Sequence, residues 1–178
     1  MTTVLERYDL QKSQQRKDFI VKQQQKIERV QQLLTMITDD SLCNHAAVQV
    51  FHDGKSSLNN KLDFQYSELF AASSNDKYKV SDVITLENTA LMPYYLYLAQ
   101  QSDNTFNGDL DDFKSVDMEM YNRLKKQHTK HIYMKLYYDS DHIQYYVLSY
   151  SWNDNYCKSY NYDTLNKYTQ SINVIMNN

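Results

Sequence analysis

The sequence predicts an α+β domain, an antiparallel sheet flanked by helices and preceded by a long N-terminal helix. Three observations carry this. No Gly or Pro interrupts the chain before Gly54, so a helix begun near the start has nothing to break it. Two pairs of short runs alternate apolar and polar residues, as half-buried strands do. The last fifteen or so residues recover a helical apolar period.

The first element is a helix over residues 4–37. Thr3-Val4-Leu5-Glu6 has capping-box form, with a hydroxyl to accept the N3 amide and a carboxylate to reach back. Such a rod reaches roughly 50 Å at 1.5 Å per residue. Val4, Leu5 and Tyr8 make a small apolar tip, and Gln11–Asp18 is polar on every side. A helix polar all round bridges solvent, binds a partner or frays. From Phe19 a seam appears: Ile20, Ile27 and Leu34 at spacing seven, Val30 and Ile37 three residues after the latter two, and Gln23 as a polar member. It spans about two and a half heptads, short of the three to four that define a coiled coil. Packing on the chain's own domain, packing on the domain and a second copy together, and a free coiled coil all remain open. The expected organisation is an arm over residues 1–38 and a domain over 39–178 packed with the arm's second half.

Asp39-Asp40-Ser41 should end the helix. Ala46–His52 alternates as a strand, Asp53-Gly54 supplies a tight turn, and Lys61–Phe70 resumes a second strand. Ala71–Lys79 reads as a polar loop. Val80–Gln101 carries helical stretches, with Pro93 suited to a first turn. Ser102–Asp112 reads as an acidic loop, and Ser115 as the cap of a helix placing Val116, Met120 and Leu124 together. IYMKLYY and IQYYVLSYSW flank Asp139–His142 as an antiparallel hairpin, with Ile132, Met134, Leu136 and Tyr138 on one face. Asp163 should cap a final helix carrying Leu165, Tyr168, Ile172 and Ile175.

Composition excludes several functions. The 178-residue chain has net charge −3, which argues against a general nucleic-acid binder. No apolar run is long enough to span a bilayer, and the start lacks the form of a secretory signal. Only two glycines, Gly54 and Gly108, are present, so neither a dinucleotide-binding nor a P-loop fingerprint can be written. The two cysteines, Cys43 and Cys157, are expected reduced. Asn, Lys, Ile and Tyr are abundant, as in a chain from an A/T-rich genome.

His52-Asp53 lies between two strands and suits a turn better than a metal hydrolase, which needs further ligands on helices. In the calcium-loop pattern Asp103, Asn107, Gly108 and Asp111 fall at positions 1, 5, 6 and 9, but Lys114 stands where a bidentate Glu is required. His128 and His131 have ligand spacing on a helix and no third ligand nearby. Arg123, Lys125, Lys126, Lys130 and Lys135 read as a solvated face, with an acidic partner or phosphate backbone as the sharper possibility. Tyr133, Tyr137 and Tyr146 look exposed and suit an interface or sheet packing better than base stacking. Cys43, two residues from His45, has no further partner of a nucleophile. No catalytic, cofactor or metal residue is assigned.

The order of elements, with VQVFHDG…LDFQYSE, HIYMKLYYDSDHIQYYVLSYSW and YDTLNKYTQSINVIM, resembles a GAF-type domain over about residues 20–178. The resemblance implies a GAF/PAS-like arrangement in which Val48–Gly54 is the first strand and its turn. It also implies that the first and last helices lie side by side. The cyclic-nucleotide motif of such domains is absent, and no cysteine sits where bilin attachment can be argued, so no ligand role is carried over. Within that type the chain resembles the small GAF-like proteins found in phage genomes. The expectation is therefore a non-enzymatic assembly component of a bacteriophage particle, in its neck, ring or tail. It would reside in the virion or host cytoplasm, with other protein subunits or further copies of itself as partners. Val4, Leu5 and Tyr8 would dock on a neighbour, while Ile20, Ile27, Val30, Leu34 and Ile37 hold the arm to the domain or to a second copy. The alternative is a GAF sensor that binds a small ligand and signals through the N-terminal helix. A nucleic-acid accessory role is a third.

Overall fold

Both faces of one sheet are covered by helices, and that arrangement decides which side chains are buried. The computed structural model describes residues 4–53, 64–73, 92–138, 145–153 and 161–177, with side chains from residue 12 onward except 51–53, 64–70 and 92. In chain order the elements are α1 (Val4–Ser41), β1 (His45–Asp53), β2 (Phe64–Ser73), α2 (Met92–Gln100), β3 (Thr105–Asp109), α3 (Leu110–Phe113), α4 (Met118–Lys126), β4 (His131–Tyr138), β5 (Tyr145–Trp152) and α5 (Tyr162–Asn177). The five strands are ordered β2-β1-β5-β4-β3, and every neighbouring pair is antiparallel.

One face packs on α1 and α5. Val30, Leu34 and Ile37 from α1 meet Val48, Tyr133, Leu148, Tyr150 and Trp152 from the sheet and Leu165 and Ile172 from α5. The other face packs on α2, α3 and α4, where Tyr94, Leu98, Phe113 and Met120 meet Ile132, Met134, Leu136 and Val147. Strand alternation distributes the central hairpin between these two cores. Where α1 ends, the Trp152 indole N–H donates to the Ser41 carbonyl at 3.0 Å, and Leu42 takes the left-handed conformation with φ 55°. The Asn44 amide N–H donates to the Ser151 carbonyl at 2.8 Å, which starts β1 beside β5.

Several local expectations need correction. Residues 71–73, expected in a loop, continue β2, with Ala72 opposite Ala46. The expected acidic loop 102–112 contains β3, an edge strand, followed by the single turn α3. The cap of α4 is Asp117, whose carboxylate accepts from the Met120 amide at 2.9 Å, and not Ser115. The start of α5 is held by Asn161, whose side-chain oxygen accepts from the amides of Asp163 and Thr164 at 3.1 and 3.2 Å; Asp163 lies in the first turn. The turn at Gly54, the segment Val80–Glu87 and the hairpin tip Asp139–His142 lie outside the described residues.

Candidate functional site

The helix α1 divides where the domain stops covering it. α5 runs antiparallel beside it: the Tyr168 hydroxyl donates to the Asp40 carboxylate, and Lys26 Nζ donates to the Met176 carbonyl at 3.0 Å. The last turn of α5 is therefore level with Lys26. Residues 4–25 of α1 continue beyond it, about 33 Å of rod at 1.5 Å per residue. Every described residue from Lys12 to Gln25 is exposed. Within that length Gln14 donates to Asp18 at 2.9 Å, and at its base Gln24 donates to Glu28 at 3.1 Å. Such amide–carboxylate pairs one turn apart support a helix that has no tertiary packing.

The heptad seam splits at the same place. Val30, Leu34 and Ile37 are fully buried, and they fix the second half of α1 to its own domain. Ile20 is 62 % exposed and Ile27 46 %, so the described residues of the domain leave both largely uncovered. Phe19 and Val21 are exposed beside them, at 62 and 52 %. The side chains of Val4, Leu5 and Tyr8 lie outside the described residues.

Along the second half of α5, from Lys167 to Ile175, α1 and α5 border an open groove of about 880 Å³. Among the described residues its apolar members are Phe19, Val174 and Ile175, and its charged members are Lys22, Lys26, Arg29 and Lys167, with no carboxylate. Reading the sequence for apolar periodicity alone misses these cations. The signal was present: Phe19, Lys22, Lys26 and Arg29 recur at helical spacing on one face.

The opposite sheet face carries a small polar patch. Ala47, Gln49, Ser149 and Ser151 are buried there, with Ala47 opposite Ser149 and Gln49 opposite Val147. The Tyr94 hydroxyl lies 3.4 Å from Gln49 Oε1. These residues gave no functional signal in sequence, because Gln and Ser in a strand read as its solvent face.

The candidate chemical sites do not assemble. Asn107 and Gly108 are in β3, so residues 103–114 do not form a calcium loop; Gly108 instead gives room to the Phe106 ring, which a Cβ there would approach to 3.1 Å. His128 lies beyond the end of α4 with φ 61°, while His131 opens β4, so the two do not share a helix. His131 spans the β3 edge, with Nδ1 3.0 Å from Asp109 Oδ1 and Nε2 2.9 Å from Asn107 Oδ1, and its ring meets Trp152 edge-on at 5.7 Å. No group of three His, Cys, Asp or Glu suited to a metal occurs among the described residues. Cys43 is buried, and burial pushes its thiol up to about 12, which keeps it protonated and unreactive. Lys125 and Lys126 are exposed, with Lys125 resting 5.3 Å from the Tyr121 ring. Tyr133 and Tyr146 are buried at 1 and 3 % exposure, contrary to expectation, because α1 and α5 cover the face they were read as presenting to solvent. Burial raises both of their hydroxyls, and brings that of half-buried Tyr137 up to about 12.

Comparison with known proteins gives the fold. No family model matches the chain, and no curated protein matches it in sequence. Among solved structures it is similar to the phycocyanobilin-bound GAF domain of a cyanobacterial phytochrome, with TM-score 0.57, 12 % identity, and 93 % of this chain and 91 % of that one covered. A phycoerythrobilin-bound GAF domain, also from a cyanobacterial phytochrome, gives TM-score 0.51 at 13 % identity, covering 85 and 88 % of the two chains. A Staphylococcus aureus NreA protein mutated in its nitrate-binding site gives 0.51 at 12 %, covering 82 and 96 %. At these identities the likeness establishes a GAF-like fold.

Proposed function

We propose that this chain is a non-enzymatic assembly protein whose GAF-like domain anchors a helical arm used for contacts between subunits. One observation carries the reading: about 33 Å of α1 lies beyond the end of α5 and presents Phe19, Ile20 and Val21 to solvent. An isolated helix gains little stability from propensity alone, and exposed apolar residues grouped on a projecting rod mark a surface made for a partner. Within that class, the A/T-rich vocabulary and the resemblance to small phage GAF-like proteins favour a bacteriophage particle, in its neck, ring or tail. Removing residues 1–18 is expected to leave the domain folded and to abolish incorporation into the complex, read by circular dichroism and by co-purification. Incorporation of the truncated chain at wild-type level would refute the reading.

A second reading is favoured by the buried polar patch of Gln49, Ser149 and Tyr94 and by neighbours that hold bilins or have a nitrate-binding site. In it the domain senses a small ligand on that sheet face and signals through α1. Native mass spectrometry decides between them: a small molecule retained by the purified chain supports the sensor.

A further inference from the structure

We propose that the cationic groove between α1 and α5 is filled by the N-terminal tip of α1 from a second copy, so that two arms pair antiparallel. This occupant presupposes that the arm is an assembly device, and it names the arm's partner.

The face of α1 that packs on the domain does not stop where α5 stops. Below, it presents Val30, Leu34 and Ile37 to the core. Above, at helical spacing on the same side, it presents Lys26, Lys22 and Phe19 to the groove. An occupant that lies along α1 at this level must offer negative charge to Lys22 and Lys26 and apolar surface to Val174 and the neighbouring Ile27. Four cations with no carboxylate among the described lining residues are a local exception in a chain of net charge −3. The tip has the required composition: Val4, Leu5, Tyr8 and Leu10 are apolar, and Glu6 and Asp9 outnumber the one cation, Arg7.

Length supplies the second argument. α1 is helical from Val4, and α5 ends beside Lys26. Two arms overlapped antiparallel over their free lengths set residue 4 level with residue 27, and residue 9 level with residue 22. Each tip then ends beside the C-terminal turn of the other copy's α5, with residue 9 level with Lys22 and residue 6 within one residue of Lys26. The exposed Ile27 meets Val4 and Leu5. The polar middle, Gln11–Asp18, sits at the crossing, where amide and charged side chains set register and contribute little burial. Side-by-side parallel pairing places Lys22 on Lys22 and Lys26 on Lys26, and like charges in register oppose it.

Charge reversal in trans tests this. Sedimentation of the full chain at micromolar concentration and low salt is expected to show a dimer. Glu6→Lys with Asp9→Lys, and separately Lys22→Glu with Lys26→Glu, should each weaken it about tenfold or more with circular dichroism unchanged. An equimolar mixture of the two variants restores both contacts in a heterodimer and should recover wild-type association. A monomeric wild type, dimers indifferent to either reversal, or a mixture that stays dissociated each overturns the proposal. A monomeric wild type whose arm is still needed for incorporation into a complex would mean that the arm docks on an acidic helix of another protein; loss of that need would overturn the assembly reading as well.

Discussion

Adjacent turns of α1 hold side chains with opposite fates, and single substitutions expose the boundary. Leu34 is fully buried between the sheet and α5, whereas Ile27 is 46 % exposed one heptad earlier. Leu34→Ala is expected to cost about 2–5 kcal/mol of folding stability. Ile27→Ala should fall within about 0.5 kcal/mol in the monomer, read by urea denaturation at low concentration. Equal costs would mean that the domain covers more of α1 than the structure shows. Tyrosine burial sets a second expectation. Burial, then the neighbouring Tyr138 and Tyr145, raises Tyr95 to about 12, and burial then Tyr162 raises Tyr137 to about 12. Above pH 10 the unfolded chain releases phenolic protons that the folded chain retains, so stability is intact below that pH and falls as pH rises from about 10 toward about 12. Cys43, raised to about 12 by burial, adds a loss that begins nearer pH 9, the ordinary range of a thiol. Stability flat from pH 9 to 12 in thermal melts would contradict the packing on both sheet faces.

At the scale of elements, what could be read from sequence depended on whether an element's periodicity survived its surroundings. The long helix was legible because nothing breaks it, and the β4–β5 hairpin because β-branched and aromatic residues fill it. β3 was illegible: Thr105-Phe-Asn-Gly-Asp buries only Phe106, and an edge strand needs just one partner. The two caps were displaced by two residues each, because Ser115 and Asp117, and Asn161 and Asp163, are all competent caps and only packing selects between them. For α4 the selected cap is testable. Asp117→Ala removes the acceptor of the Met120 amide and is expected to cost about 1 kcal/mol, whereas Ser115→Ala should be near neutral in the same chemical melts. The reverse order would restore the original assignment. The groove was illegible for a different reason: five of its eleven lining residues come from α5, more than 130 residues further along the chain from Lys26, and no local pattern reports that juxtaposition.

For the whole molecule, the fold class followed from element order, while the burial of Tyr133 and Tyr146 did not, since it requires knowing that helices cover both faces. A sheet sealed on both sides leaves the free half of α1 as the feature the domain does not explain for itself. The most direct test of its role compares the full chain with one lacking residues 1–18, each isolated from the source that expresses it and weighed by native mass spectrometry. The full chain is expected in a complex of two or more subunits, and the truncated chain as a folded monomer. Identical stoichiometry for the two would contradict a role for the arm in assembly.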